Sequence, residues 1–269
     1  MRFLLPALLS SAAVLISQVH AASIMFDFGP TTVAGADLVN SPWHTVDPTA
    51  GTSWNKVTGT DNNAVPDVTS GLVFSDGSGA TGVGLNFGVS STAALQNVNL
   101  ATQPTRVSNL AGVYSTGIYG GTSVGRDAIF LTNSWAIGGQ VTGLAAGTYD
   151  IYLTARNTSY NTNDYKQTAY AGAGVVGSNF DYSGYFNSTV TYLKTSTAPN
   201  SWVQGETYMK LTVTLSEGQA LNFAVIGENT GAVDRGFLNS LQIVSVPEPS
   251  AALLGIGALG VMAVRRRRA

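Results

Sequence analysis

Residues 208–227 read YMKLTVTLSEGQALNFAVIG, and apolar side chains recur there at every second position. Met209, Leu211, Val213 and Leu215 fall on one face, with Lys210, Thr212 and Thr214 opposite. After the polar loop Ser216-Glu217-Gly218-Gln219, Leu221, Phe223 and Val225 alternate against Asn222. Residues 148–155, TYDIYLTA, repeat the pattern: Tyr149, Ile151, Leu153 and Ala155 oppose Asp150, Tyr152 and Thr154. A period of two belongs to a β-strand, and one apolar face with one polar face marks a half-buried antiparallel strand. The intervening loop is of hairpin type.

Further strands are expected at 24–28, 72–74, 83–87, 128–131, 167–171, 189–195 and 237–244, separated by turns rich in Gly and Asn. No amphipathic helix of any length is expected; 93–101 is too short and too weakly patterned. Many short strands without helices predict an all-β fold, an antiparallel β-sandwich of jelly-roll type. No internal repeat or linker divides residues 22–245, so they read as one domain.

Both ends fall outside that domain. Arg2, the apolar stretch 3–16 and Val19-His20-Ala21 form, in order, the three parts of a secretory signal peptide, with cleavage expected after Ala21. At the other end, Val246-Pro247-Glu248-Pro249-Ser250 precedes an apolar run over 251–264 and the cluster Arg265, Arg266, Arg267, Arg268. Fourteen residues in the run make a helix of about 21 Å, against a bilayer core of about 30 Å. The arginines cannot share a protein core; they act as a cytoplasmic retention signal behind a short transmembrane helix. Pro247 and Pro249 hold the segment before it extended, the form a processing enzyme can grip.

These three C-terminal features, in this order over residues 246–269, resemble the PEP-CTERM sorting signal of Gram-negative, exopolysaccharide-producing bacteria. The resemblance implies recognition by an exosortase-like membrane enzyme, removal of the tail after a transient membrane stage, and delivery to the cell surface or extracellular matrix. It covers the tail alone. In the body, residues 143–157 and the closing GFLNSLQIV are similar to strands of galactose-binding-like jelly rolls found in carbohydrate-binding modules.

Composition narrows the partners. Between the two ends, eight basic face fourteen acidic side chains, a formal charge near −6, which excludes nucleic acid and anionic membrane surfaces as natural partners. The chain has no cysteine, so its stability rests on packing alone.

Motifs that resemble chemistry do not stand in the required context. Gly121-Thr122-Ser123-Val124-Gly125 fits the nucleophile elbow, but leads into a strand where that motif needs a helix. The glycine-rich runs 77–82 and 172–177 open no helix to hold a phosphate and read as hairpin loops. His44, beside Trp43 and Asp47, is the one histidine left after signal removal. It reads as a satisfied loop residue rather than a general base oriented by Asp47. No metal site or catalytic residue is assigned and no cofactor is expected, although structural calcium, which needs only oxygen ligands, stays open through Asp27, Asp61, Asp164, Asp181 and Asp234.

Aromatic loops give the functional lead. Residues 157–170 and 179–187 interleave Tyr160, Tyr165, Tyr182 and Tyr185 with Asn163 and other polar side chains. Aromatic faces stack on sugar rings while amides and carboxylates bond the hydroxyls, so Tyr160, Asn163, Tyr165, Tyr182 and Tyr185 are candidate glycan contacts. The expectation is an exported, non-catalytic surface or matrix protein of the biofilm that is structural or binds polysaccharide. A secreted polysaccharide hydrolase working through a carboxylate pair is the alternative; no such pair stands out in sequence.

Overall fold

The computed structural model describes residues 23–30, 40–91, 94–109, 117–120, 123–131, 135–156, 165–182, 188–192, 199–227 and 235–247. The signal peptide with Ala21, and Glu248, Pro249, the apolar run and Arg265 to Arg268, lie outside them.

The alternating segments pair as their periods require. The strands are β1 (Ser23–Pro30), β2 (Asn55–Gly59), β3 (Gly84–Ser91), β4 (Ala94–Asn99), β5 (Arg106–Asn109), β6 (Asp127–Phe130), β7 (Ile137–Thr142), β8 (Gly147–Thr154), β9 (Tyr165–Val175), β10 (Phe180–Asp181), β11 (Ser188–Tyr192), β12 (Met209–Leu215), β13 (Gln219–Gly227), β14 (Phe237–Leu238) and β15 (Ser240–Val246). A five-stranded sheet runs β12-β8-β15-β1-β2, and a seven-stranded sheet runs β10-β4-β3-β7-β13-β9-β11. A small third sheet, β14-β6-β5, lies beside them.

The two large sheets form the sandwich. Ile24, Phe26 and Phe28 of β1, Ile151 and Leu153 of β8, and Leu241 and Ile243 of β15 meet Leu85, Phe87, Leu221 and Phe223 of the other sheet in one buried core. Phe28 and Phe87 meet edge to face across it, with ring centroids 5.9 Å apart. Each such ring removed from water contributes roughly 1.5–3 kcal/mol.

Several expectations are corrected. Residues 72–74 form no strand; Val73 makes one isolated bridge to Gly79 within a tight turn. The expected strand 237–244 is broken at Asn239, where the chain leaves the small sheet for the five-stranded one. Residues 94–99, within the segment read as patternless, form β4. The second glycine run is strand through Val175 and turns only at 176–177. The sandwich is also not wholly antiparallel, because β1 and β2 pair in parallel. A short helix α1 (Pro42–Val46), capped by Ser41, covers part of the outer face of the five-stranded sheet.

Candidate functional site

Alternation that sends Phe26 and Phe28 inward sends Met25 and Asp27 to the outer face of the five-stranded sheet. Register extends that face into a row. Asp27 stands opposite Ser240, Ser240 opposite Thr154, and Asp27 beside Lys56 on the edge strand. Ser240 and Thr154 have no solvent exposure, while Lys56 is exposed.

Asp127, the first residue of β6, completes the row. Its carboxyl sits over Gly29, the next outward position after Asp27 on β1. Asn239 fixes this corner: its side-chain amide donates to the Asp127 carbonyl at 2.6 Å, and its side-chain oxygen accepts from the Arg156 backbone N–H. Burial first, then the negative charge of Asp27, pushes the Asp127 carboxyl up to about 8, against the weaker pull of Arg126 and Lys56. Asp127 therefore keeps its proton to a higher pH than a free carboxyl does. The fold thus assembles a carboxylate pair that no sequence spacing signals, from positions 27 and 127. Both carboxyls are buried, at 6% and 5% exposure. The Arg156 guanidinium lies 4.0 Å over the Tyr119 ring. Burial also pushes the Tyr119 hydroxyl up to about 12.

Further along the same outer face the chemistry changes to aromatic and polar. Tyr152 is flanked by Trp43, 5.4 Å between centroids, and by Tyr208 at 5.9 Å. Lys210 Nζ lies 5.5 Å over the Tyr152 ring and 2.8 Å from Asp150. Thr212 donates to the other Asp150 oxygen at 2.7 Å. Trp43, Asp150 and Lys210 are half-buried and Thr212 is exposed, so this patch presents an indole beside an ion pair and a hydroxyl to solvent.

The residues singled out in sequence fare unevenly. Tyr182 is not a glycan contact: it is 1% exposed, packed against Tyr170 at 6.0 Å, with its hydroxyl hydrogen-bonded to Ser90. Its apolar neighbours, Tyr170, Phe180 and Val98, make it a core residue. Tyr160, Asn163 and Tyr185 lie outside the described residues, as does the side chain of Tyr165. Ser123 is buried and donates to the Ile118 carbonyl, while its oxygen accepts from the Gly125 N–H at 3.2 Å. It holds a turn leading into β6. His44 is buried, with Nδ1 2.7 Å from Ser41 Oγ and Nε2 3.3 Å from the Gly51 carbonyl. That carbonyl only accepts, so Nε2 carries the proton. Asp47 instead accepts from Thr49. Among the open acids, Asp61 is held by Arg106 at 2.6 Å, which lowers its pKa, and Asp181 is exposed. Asp164 and Asp234 lie outside the described residues. Among the described residues, no three His, Asp or Glu side chains gather as a metal cluster.

A cavity of about 360 Å³ opens at one end of the sandwich, lined by Ile24, Phe74, Val83, Leu144, Tyr149 and Val246 among others. Its lining is mainly apolar, and Val246, at its rim, is where the last strand ends.

Residues 245–268 match the family model of the PEP-CTERM protein-sorting motif. The chain carries a PEP-CTERM sorting motif. That motif marks it as an exported, envelope-associated protein processed by an exosortase, a membrane enzyme. The PEP-CTERM segment begins inside the folded body, because Ser245 and Val246 still pair with Tyr149 and Thr148. Among curated proteins, no sequence matches this chain.

Solved structures similar to this chain include protein YXIM from Bacillus subtilis, at 12% identity and TM-score 0.35, covering 83% of this chain and 40% of that one. A second is the isomalto-dextranase of Arthrobacter globiformis complexed with panose, at 16% identity and TM-score 0.25, covering 60% of this chain and 21% of that one. A third is the xylan-binding module CBM15, at 9% identity and TM-score 0.27, covering 61% of this chain and 92% of that module. The chain therefore spans less than half the length of the first two.

Proposed function

We propose that the exported body is a non-catalytic polysaccharide-binding domain, delivered by its PEP-CTERM tail to the surface or exopolysaccharide matrix of a Gram-negative cell. The observation that carries the binding reading is the outer-face patch, where Trp43 stands beside Tyr152, Tyr208 and the Asp150–Lys210 pair. An indole offers an apolar face to a sugar ring, and a carboxylate, an ammonium and a hydroxyl next to it bond the ring's substituents.

The carboxylate pair supports the same reading. A glycosidase needs two carboxyls flanking a bond in an open cleft, about 5–10 Å apart. Asp27 and Asp127 are both buried, with too little exposure to flank a sugar ring. They serve the fold.

The test is a binding screen of the purified body against the host's own exopolysaccharide and a glycan panel, with the same samples assayed for released reducing sugar. Saturable binding without product, weakened about tenfold, or about 1.4 kcal/mol, by Trp43→Ala, is expected. Product release would replace the binder with an enzyme. Binding untouched by Trp43→Ala and Lys210→Ala would remove this patch from the account.

A further inference from the structure

We propose that Asp27, Asp127 and Ser240 form a binding site for a hard divalent cation, with calcium the ion that fits and Thr154, one strand beyond Ser240, bonding a water of its shell. Two independent observations meet there. The first is the placement of two carboxyls side by side, one on β1 and one over Gly29 of the same strand. The second is a pair of buried hydroxyls. Ser240 Oγ and Thr154 Oγ1 have no hydrogen-bond partner and no exposure.

Register brings these groups together. Side chains directly opposite in an antiparallel pair have Cβ atoms about 4.5–5.5 Å apart. Ser240 is opposite Asp27 on one side and Thr154 on the other, so the hydroxyls extend the carboxyl row on the same face. A buried hydroxyl left unpaired is disfavoured, and so is the ionisation of both of two crowded, buried carboxyls. One cation between them removes both penalties.

Donor chemistry selects the ion. These side chains supply oxygen only, which suits calcium and not zinc. Two carboxyls and the Ser240 hydroxyl offer up to about five oxygens, against the six to eight that calcium takes. Carbonyls or water complete the shell. Lys56 faces Asp27 across the parallel pair and Arg126 precedes Asp127. These cations temper the affinity, placing it with extracellular calcium modules, at dissociation constants of about 0.1–1 mM.

The experiment follows thermal unfolding of the full chain in EDTA and in about 10 mM calcium, with a calorimetric titration of calcium alone. Calcium should raise the wild-type Tm by about 4 °C or more and give one saturable site. Ser240→Ala removes a hydroxyl that has no partner, so it should fold as well as wild type in EDTA and lose most of the calcium shift; Asp27→Asn should lose all of it. An unshifted wild-type Tm without binding heat would overturn the proposal, leaving a buried water to satisfy the hydroxyls. A shift retained in both variants would equally overturn it, because calcium would then bind elsewhere.

Discussion

The carboxyl of Asp127 occupies the space that any side chain at Gly29 would fill: a Cβ built on Gly29 comes within 1.9 Å of Asp127 Oδ2 and 2.9 Å of its Cβ. The conflict involves the whole of a short, buried side chain, so it cannot be relieved by swinging a flexible tip. Gly29→Ala should therefore destabilise the body by about 1–3 kcal/mol, the usual range for overpacking. Urea denaturation measures it. In an Asp127→Gly background the same substitution should cost less than half as much, because the whole obstructing side chain is gone. An undiminished cost in that background would show that the glycine serves some other need.

Asp127 also makes stability depend on pH. Its carboxyl is held up to about 8 in the folded chain, by burial and by Asp27, against 3.8 when unperturbed. The folded chain thus keeps a proton that the unfolded chain releases. Stability from this group is full below about pH 4, declines as pH rises through neutrality, and levels off above about 8. Urea midpoints measured in EDTA from pH 4 to 9 should fall in wild type, with a slope of up to about 1.4 kcal/mol per pH unit for one proton. Asp127→Asn should flatten that slope. A wild-type profile as flat as the variant's would contradict the raised pKa.

Ser41 links the aromatic patch to the sheet. Its hydroxyl lies 2.7 Å from His44 Nδ1 and 3.0 Å from Gln242 Nε2, while the Trp43 N–H donates to Gln242 Oε1 at 3.0 Å. Ser41→Ala removes the cap of α1 and leaves a buried amide short of a partner. A loss of about 1–2 kcal/mol is expected. Because Trp43 is positioned by the same glutamine, near-ultraviolet circular dichroism should change with it. An unaltered aromatic spectrum would show that Trp43 is held by its contact with Tyr152 alone.

The strands that were legible in sequence are those whose two faces differ. β8, β12 and β13 alternate cleanly because one side of each packs in the core, and the tail motif reads directly because its three parts are contiguous. β7 was missed because its sequence, IGGQVT, has glycines where side chains would declare a face. The structure gives the reason: a Cβ at Gly138 would come 2.3 Å from the Phe223 carbonyl oxygen, and one at Gly139 2.3 Å from that of Asn86. Tyr182 was misplaced because an aromatic next to polar residues looks the same whether it faces solvent or fills a gap beneath Tyr170. The Asp27–Asp127 pair was illegible for a different reason. It depends on β6 docking against β1 across a hundred residues of chain, which no local period records.

The sorting tail leaves the body without slack. Ser245 and Val246 belong both to the PEP-CTERM motif and to the ladder with Tyr149 and Thr148. Pro247 ends that ladder because it has no N–H to donate. Fold and sorting should therefore separate sharply between residues 246 and 248. Replacing Pro247, Glu248 and Pro249 by alanines should leave the Tm of the body within about 2 °C of wild type, since surface changes are usually within about 0.5 kcal/mol. It should also block tail removal, so that the unprocessed chain accumulates in the membrane fraction. Ending the chain at Leu241 should abolish folding instead. That cut removes buried Ile243 and Val244, at roughly 1.5–3 kcal/mol each, together with most of the β15 ladder between β1 and β8. Fractionation with mass spectrometry of the C-terminus reads the first outcome, and circular dichroism the second. Normal processing of the alanine variant would show that the enzyme reads the apolar run and arginines without the proline segment.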